Sequence, residues 1–350
     1  MAWTKEDRVM AVLSGELPDR VPLLDLILND AYYRRYNNGE DVRPGDQETV
    51  IRLASLNLDA SHPADAPNEV RSEPAPFGNE RRYERWTVWE TPTPEKTQED
   101  LIRAVQHDID EYRDYRVSQQ EIDDYKALAK KRREWAGDML YPAYENKCPI
   151  LPGTVEEGIY LYADEPELVK EWNLVMNRRR LLQFEAMVDG SDTKFMFNFN
   201  DAAFKNGPLW SPAVLDELLF PHLRRICETA HAKGIKVIYH TDGNLYMLMD
   251  RILACGIDGL HPMEVSAGMF YSEFKERYGK RVAMVGAMDG VYRLSGGTVD
   301  EVVEEAKRLC KIGGAGGGLI AASSTGQIDN SMPLQNLLAY FDTVRTYGKY

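Results

Sequence analysis

Several side chains able to move a proton or hold a metal ion stand immediately after short apolar runs in this 350-residue chain. Asp25 closes the run that begins at Val21. Asn200 and Asp201 follow the stretch 194–199, and His240, with Asp242 two residues on, follows Val237, Ile238 and Tyr239. His261 with Glu264, Asp289, and the run Ser323, Ser324, Thr325 occupy equivalent places further along. An imidazole among carboxylates can ligate a divalent cation or act as a general acid or base. The competing reading is structural. Asp and Asn at strand ends often cap the next helix, and about half of these positions are expected to do so. Asp242 could cap a helix starting near Gly243, and a lone His at a strand lip is commonly a satisfied core residue. The acids at 201, 242, 264 and 289 balance that second reading, and both stand at this point.

The elements that must place these residues read as alternating strand and helix. Thr4, with Asp7 three positions on, caps a first helix whose apolar stripe is Val9, Met10, Val12 and Leu13 before Gly15 ends it. Strands are expected at 21–28, about 56–60, 148–151, 194–200, 235–240, 257–261, 282–286 and 319–322. Helices are expected at 154–188 (interrupted at Pro166), 211–233, 245–254, 270–278, 298–312 and 333–347. Short links with Gly at helix ends make these βαβ units, and eight strands close a (β/α)8 TIM barrel. An open doubly wound sheet that binds dinucleotides has no support, because no GxGxxG follows the first strand. Residues 1–350 thus read as a single barrel with an N-terminal helix. Residues 63–147 read as an inserted hairpin and helical region, with an alternating strand at 83–89 and a very polar helix at 118–135. In such a barrel the polar strand ends share one basin at the C-terminal face.

Composition removes whole classes of function. The formal net charge is −14, with 42 Lys and Arg against 56 Asp and Glu, which disfavours a nucleic-acid groove or an anionic membrane surface. No apolar run approaches the roughly 20 residues that span a bilayer, and MAWTKEDRVM lacks a signal-peptide core, so a cytoplasmic protein is expected. Cys148, Cys227, Cys255 and Cys310 form no CxxC and are expected to be reduced, buried thiols. The glycine run 313–318 precedes a strand and has no Lys-Ser/Thr after it, so it reads as a loop at the bottom of the barrel rather than a phosphate cradle.

Five segments in order resemble the uroporphyrinogen decarboxylase superfamily. They are Thr4-Lys5-Glu6-Asp7-Arg8-Val9 with Pro18-Asp19-Arg20-Val21-Pro22, Gly207-Pro208-Leu209-Trp210-Ser211-Pro212, His240-Thr241-Asp242-Gly243-Asn244, Gly256-Ile257-Asp258-Gly259-Leu260, and Pro333-Leu334-Gln335-Asn336 through Tyr347-Gly348-Lys349-Tyr350. The resemblance implies one of two chemistries: decarboxylation of a tetrapyrrole, or movement of methyl groups to or from a corrinoid protein or a thiol, usually with zinc. The decarboxylase branch carries an Arg-rich segment after the first strand. Here Asp25-Leu26-Ile27-Leu28-Asn29-Asp30 stands there, with no Arg before Arg34, so a polyanion meets acids where it needs cations.

The methyltransferase branch is therefore expected, moving a methyl group from a small donor such as an aryl methyl ether to cobalamin carried by a corrinoid protein. His240 falls where the branch's zinc-binding His-x-Cys begins. Asp242 replaces the Cys, and the later Cys is missing near 323–326. Zinc accepts carboxylate oxygen, so His240, Asp242 and Glu264 are the expected ligands. His240, Asp201 and Asp289 are the expected catalytic groups. Asp25, Asn200, Tyr239 and Ser211 are the expected substrate contacts. A decarboxylase acting on a tetrapyrrole or other carboxylate substrate and a non-catalytic ligand-binding barrel are the alternatives. A homodimer is compatible with the fold.

Overall fold

The computed structural model describes residues 2–63, 66–76, 79–93, 96–142 and 144–350. Eight strand segments run parallel, and we number them β1 (Leu24–Asp25), β2 (Ala60–Ser61), β3 (Glu145–Lys147), β4 (Phe195–Phe199), β5 (Lys236–His240), β6 (Gly259–His261), β7 (Ala283–Met288) and β8 (Leu319–Ser323). From β3 to β8 they form a six-stranded sheet in sequence order, while β1 pairs with β2. Single bridges, Leu23 to Ala321 and Ala60 to Leu140, link the two groups. The hydrogen-bonded ladder is therefore not continuous around the ring.

Side-chain packing nevertheless follows a barrel. One buried cluster takes Leu24, Ala60, Phe195, Phe197, Ile238, Ala283, Val285, Ile320 and Ala322 from the strands, and Leu140 from the bridge to Ala60. It takes Val9, Val12 and Leu13 from the first helix, Lys5–Leu13. Alternation does the sorting: Phe195 and Phe197 point inward, while Met196 joins the larger outer core under the helices. The arrangement is that of a (β/α)8 barrel with its floor plugged by the N-terminal helix. That helix carries the expected Thr4 and Asp7 capping box.

Three sequence expectations shift. The apolar stretch 148–151 is not a strand; the polar Glu145–Lys147 pairs with β4 instead, and Asn146 bonds Asn198 at 2.8 Å. Pro149 has no N–H to give a ladder, which favours strand pairing just before it. Residues 83–89 are not one strand. Glu84 donates to Thr87 in a turn, and Asn79–Tyr83 and Val88–Pro92 pair on either side, with Arg71–Ala75 as a third strand. The expected helix 245–254 shortens to Met249–Ala254. The polar helix appears as Gln119–Ala136, capped by Ser118. All four cysteines are free and buried, and no helix among the described residues is long and apolar enough to cross a membrane.

The N-terminal resemblance segment has a mechanical role. Buried Asp59 accepts Arg20 Nη1 and Nη2 at 2.8 and 2.7 Å and the Leu23 N–H at 2.9 Å, while Arg8 Nη1 lies 3.5 Å away. This fork ties the first helix, β1 and the start of β2 together. Asp59→Ala leaves the Arg20 guanidinium without its anion, and we expect a loss of about 3–5 kcal/mol. Urea unfolding at pH 7 measures it, and a loss below 1 kcal/mol contradicts the assignment.

Candidate active site at the barrel mouth

The register of the sheet builds the site. Lys147 on β3 pairs with Phe199 on β4, Phe199 with His240 on β5, and His240 with His261 on β6, so four adjacent strands bring one row to the same height. Two-residue alternation aims His240 inward, one step above Ile238. His62 follows β2, two residues after inward-facing Ala60, and its ring lies 4.0 Å from that of Phe197 and 5.0 Å from that of His261. Three imidazoles thus cap the apolar filling of the barrel.

Their contacts are specific. His240 Nδ1 and His261 Nδ1 are 2.8 Å apart, so one ring donates to the other and at least one is neutral. Burial pushes the His62 and His261 rings well below the usual imidazole value, and it brings His240 down to about 4. Gly326, at φ +75°, passes so close that a Cβ there would lie 3.0 Å from His240 Cε1; only glycine suits both the angle and the approach.

On its other edge His240 faces carboxylates. Asp242 Oδ2 lies 3.9 Å from His240 Nε2, and ligand atoms of Asp201, His240 and Asp242 fall within 4.8 Å of one another. Asp201 reaches this place through the hairpin Ala203–Phe204 and Gly207–Pro208. The Ala202 N–H donates to Thr241 Oγ1, and the Asn244 N–H to Phe204 O. Gly243 lets the hairpin lie on it, since a Cβ there would sit 2.6 Å from the Ala203 carbonyl carbon. Burial, then Asp201 and Glu264, raise the Asp242 carboxyl to about 7.

Above the row opens a cavity of about 410 Å³, inside the usual range for small-molecule sites. Phe199, Trp210, Leu209, Ile150 and Leu151 make its walls largely apolar, while His240, Asp201, Asn200 and Lys147 supply polar groups. Two buried polar atoms of these walls lack partners: Trp210 Nε1, a donor, and Asn200 Oδ1, an acceptor. Cys148 also lines the cavity, but burial pushes its thiol up to about 12, so it is no thiolate.

The residues expected from sequence fall into two sets. His240, Asp201 and Asp242 come together, and Asn200 stands beside them in the cavity wall. The others are placed elsewhere. Glu264 accepts the Gly243 N–H at 2.8 Å and Ser266 Oγ at 2.7 Å, bracing the loop rather than joining either donor group. Asp289 accepts the N–H groups of Val291 and Tyr292 and is a helix cap. Ser211 caps the helix Pro212–Leu218. Tyr239 belongs to the outer core, and Asp25 is fully buried beside the Ser323 N–H, its carboxyl raised by burial. The sequence does not single out His62, and it presents His261 only as a strand end. A His two residues past an inward Ala was the available signal for His62.

The model of the uroporphyrinogen decarboxylase (URO-D) family matches residues 186–347. This match, to somewhat less than half of the chain, supports membership of the uroporphyrinogen decarboxylase superfamily. Members of this superfamily include decarboxylases and methyltransferases, and the match does not separate the two branches. It spans β4 to β8 and so contains His240, His261, Asp201 and Asp242, whereas His62 lies outside it. No curated protein matches the chain.

The depressed imidazoles set a sign for acid stability. Below the usual 6.5 the unfolded chain takes up protons that the folded histidines refuse, so each withdraws up to about 1.4 kcal/mol per pH unit as pH falls toward 4. Asp242 acts oppositely, because its folded carboxyl binds a proton near pH 7 that the unfolded one releases. Removing one histidine therefore flattens the acid limb. Between pH 7 and 5, metal-free His261→Asn should lose about 2 kcal/mol less than wild type in urea unfolding. Equal losses in both proteins contradict the neutral, buried ring.

Proposed function

We propose that this barrel is a methyltransferase that takes the methyl group of a small aromatic methyl donor, an aryl methyl ether for instance, and passes it to the cobalamin of a corrinoid protein. One observation carries the reading: a neutral imidazole flanked by two carboxylates floors an apolar, aromatic-walled cavity that offers a single basic side chain, Lys147, among its lining residues. A tetrapyrrole polycarboxylate needs several cations, preferably Arg forks, and would instead meet Asp201.

The donors present also fit the zinc that the methyltransferase branch uses. Neutral imidazole nitrogen and carboxylate oxygen are ordinary zinc ligands, and His240 belongs to both donor groups of the site. When bound, the ion supplies Lewis-acid stabilisation of the oxygen that loses its methyl group. The protein does the rest. Phe199 and Trp210 stack on the aromatic ring, and Leu209, Ile150 and Leu151 exclude water from it. Asn200 and Lys147 are polar wall residues placed to meet ring substituents. The C–O bond breaks with its electron pair on oxygen, and the methyl carbon bonds to the cobalt of the partner's corrinoid, which supplies the new pair.

The test supplies purified chain with a Co(I) corrinoid protein and an aryl methyl ether, and follows methylation of cobalt in the visible spectrum. Transfer is expected, with His240→Ala slower by at least about 100-fold. Asn200→Ala should raise KM by about 10-fold, the effect of one lost hydrogen bond, with little change in kcat. Carbon dioxide release from a carboxylate substrate without corrinoid, or saturable ligand binding with no turnover, would overturn the reading.

A further inference from the structure

His62 and His261 are completely or almost completely buried, yet Nε2 of each has no hydrogen-bond partner. Both belong to the layer that also holds His240, and one nitrogen from each of the three rings lies within 4.8 Å of the other two. The neighbours in this layer are the rings of Phe197 and Phe199, which can accept no ordinary hydrogen bond. A buried nitrogen left unsatisfied costs about 1–3 kcal/mol, and this one layer holds two such atoms. Asp201 and Asp242 differ: both carboxylates reach solvent, so water can satisfy them without an ion.

We propose that His62, His240 and His261 form a tris-imidazole site for a borderline divalent transition metal, zinc or cobalt(II), on the barrel axis beneath the cavity. The proposal builds on the metal-assisted reading only in placing an ion at His240, and it stands whatever reaction the ion serves. Three neutral imidazole nitrogens, one of them from a residue that lines the cavity, are a ligand set of the catalytic zinc type. The ring edges divide the work. The Nδ1 edge of His240 faces His261, and its Nε2 edge faces Asp242 at 3.9 Å. At that separation Asp242 is a charged neighbour of the imidazole and not its hydrogen-bond acceptor. Asp201 and Asp242 are then not ligands, and they remain free at the cavity floor. The sequence around His62 supports the site from below: Asp59, three residues earlier, is fixed by Arg20 and the Leu23 N–H, so β2 delivers its imidazole from an anchored base.

Cobalt(II) titration of the chelator-treated full chain tests this by ligand-field absorption. One Co2+ per chain is expected, with intense visible bands that Zn2+ abolishes by displacement. His62→Gln and His261→Gln should each weaken Co2+ binding by at least about 100-fold, whereas Asp201→Ala and Asp242→Ala stay within the 10- to 100-fold range of an outer partner, with their visible bands retained. Since a buried substitution can unfold the chain, near-ultraviolet circular dichroism and the metal-free melting temperature accompany each variant. The zinc-dependent rise in melting temperature should be present in wild type and absent in both Gln variants. No Co2+ binding by wild type, or loss on replacing the carboxylates but not His62 and His261, overturns the site. Co2+ binding as expected without methyl transfer leaves the site standing and overturns only the functional reading.

Discussion

Everything at the mouth of this barrel depends on two imidazole nitrogens held 2.8 Å apart on adjacent parallel strands. That distance requires β5 and β6 to pair with His240 opposite His261, and it forbids both rings from being charged together. A low-dielectric setting supplies the second condition. Phe197 and Phe199 surround the rings, and burial, more than any neighbouring charge, drives each imidazole toward its neutral form. The backbone gives way around the same spot: Met263 and Ala287 adopt φ of 59° and 74°, and the glycine at 326 leaves room for His240. Non-glycine residues in that region cost of order 1–3 kcal/mol each, so the fold tolerates strain at the very place where the histidines meet.

The first sixty residues serve this layer from the opposite end. Val9, Val12 and Leu13 fill the floor of the cylinder, and the Arg20–Asp59 fork fixes where β2 begins. With β2 only two residues long, its own ladder is too short to hold His62. The buried charge pair and the ring contact with Phe197 supply the missing constraint. A segment that looks like a family signature in the sequence is thus a mechanical support for a side chain more than forty residues later.

The legibility of the sequence follows the same physics. Strands β4 to β8 are long or strongly apolar, so period and Gly-terminated helices reveal them, and with them His240, Asp201 and Asp242. Where a strand shrinks to two or three residues and no apolar run marks its place, period carries nothing. For that reason β2 and β3 fall a few residues away from the expected 56–60 and 148–151, and His62 is not singled out. The apolar stretch at 148–151 imitates a strand because it lines a cavity, a different way of hiding from water. Asp289 and Ser211 show the capping role that strand-end polar residues commonly have, and no single-sequence signal separates them from a ligand. Glu264 was expected to face His240. The turn at Met263 sends its carboxylate to the Gly243 N–H instead, and a positive φ at a methionine is not readable from residue type.

The division of labour between nitrogen and oxygen also bears on which chemistry the barrel hosts. A site for a polycarboxylate must place permanent positive charge where the substrate's anions lie, and guanidinium is the group that stays charged when buried. This barrel gathers three imidazoles below its mouth, and burial favours their uncharged form. Neutral imidazoles attract no carboxylate, but they are the form that a metal ion requires. The same burial that would defeat an anion-binding histidine therefore prepares a metal-binding one, and the two unpartnered Nε2 atoms are the ends left open for it.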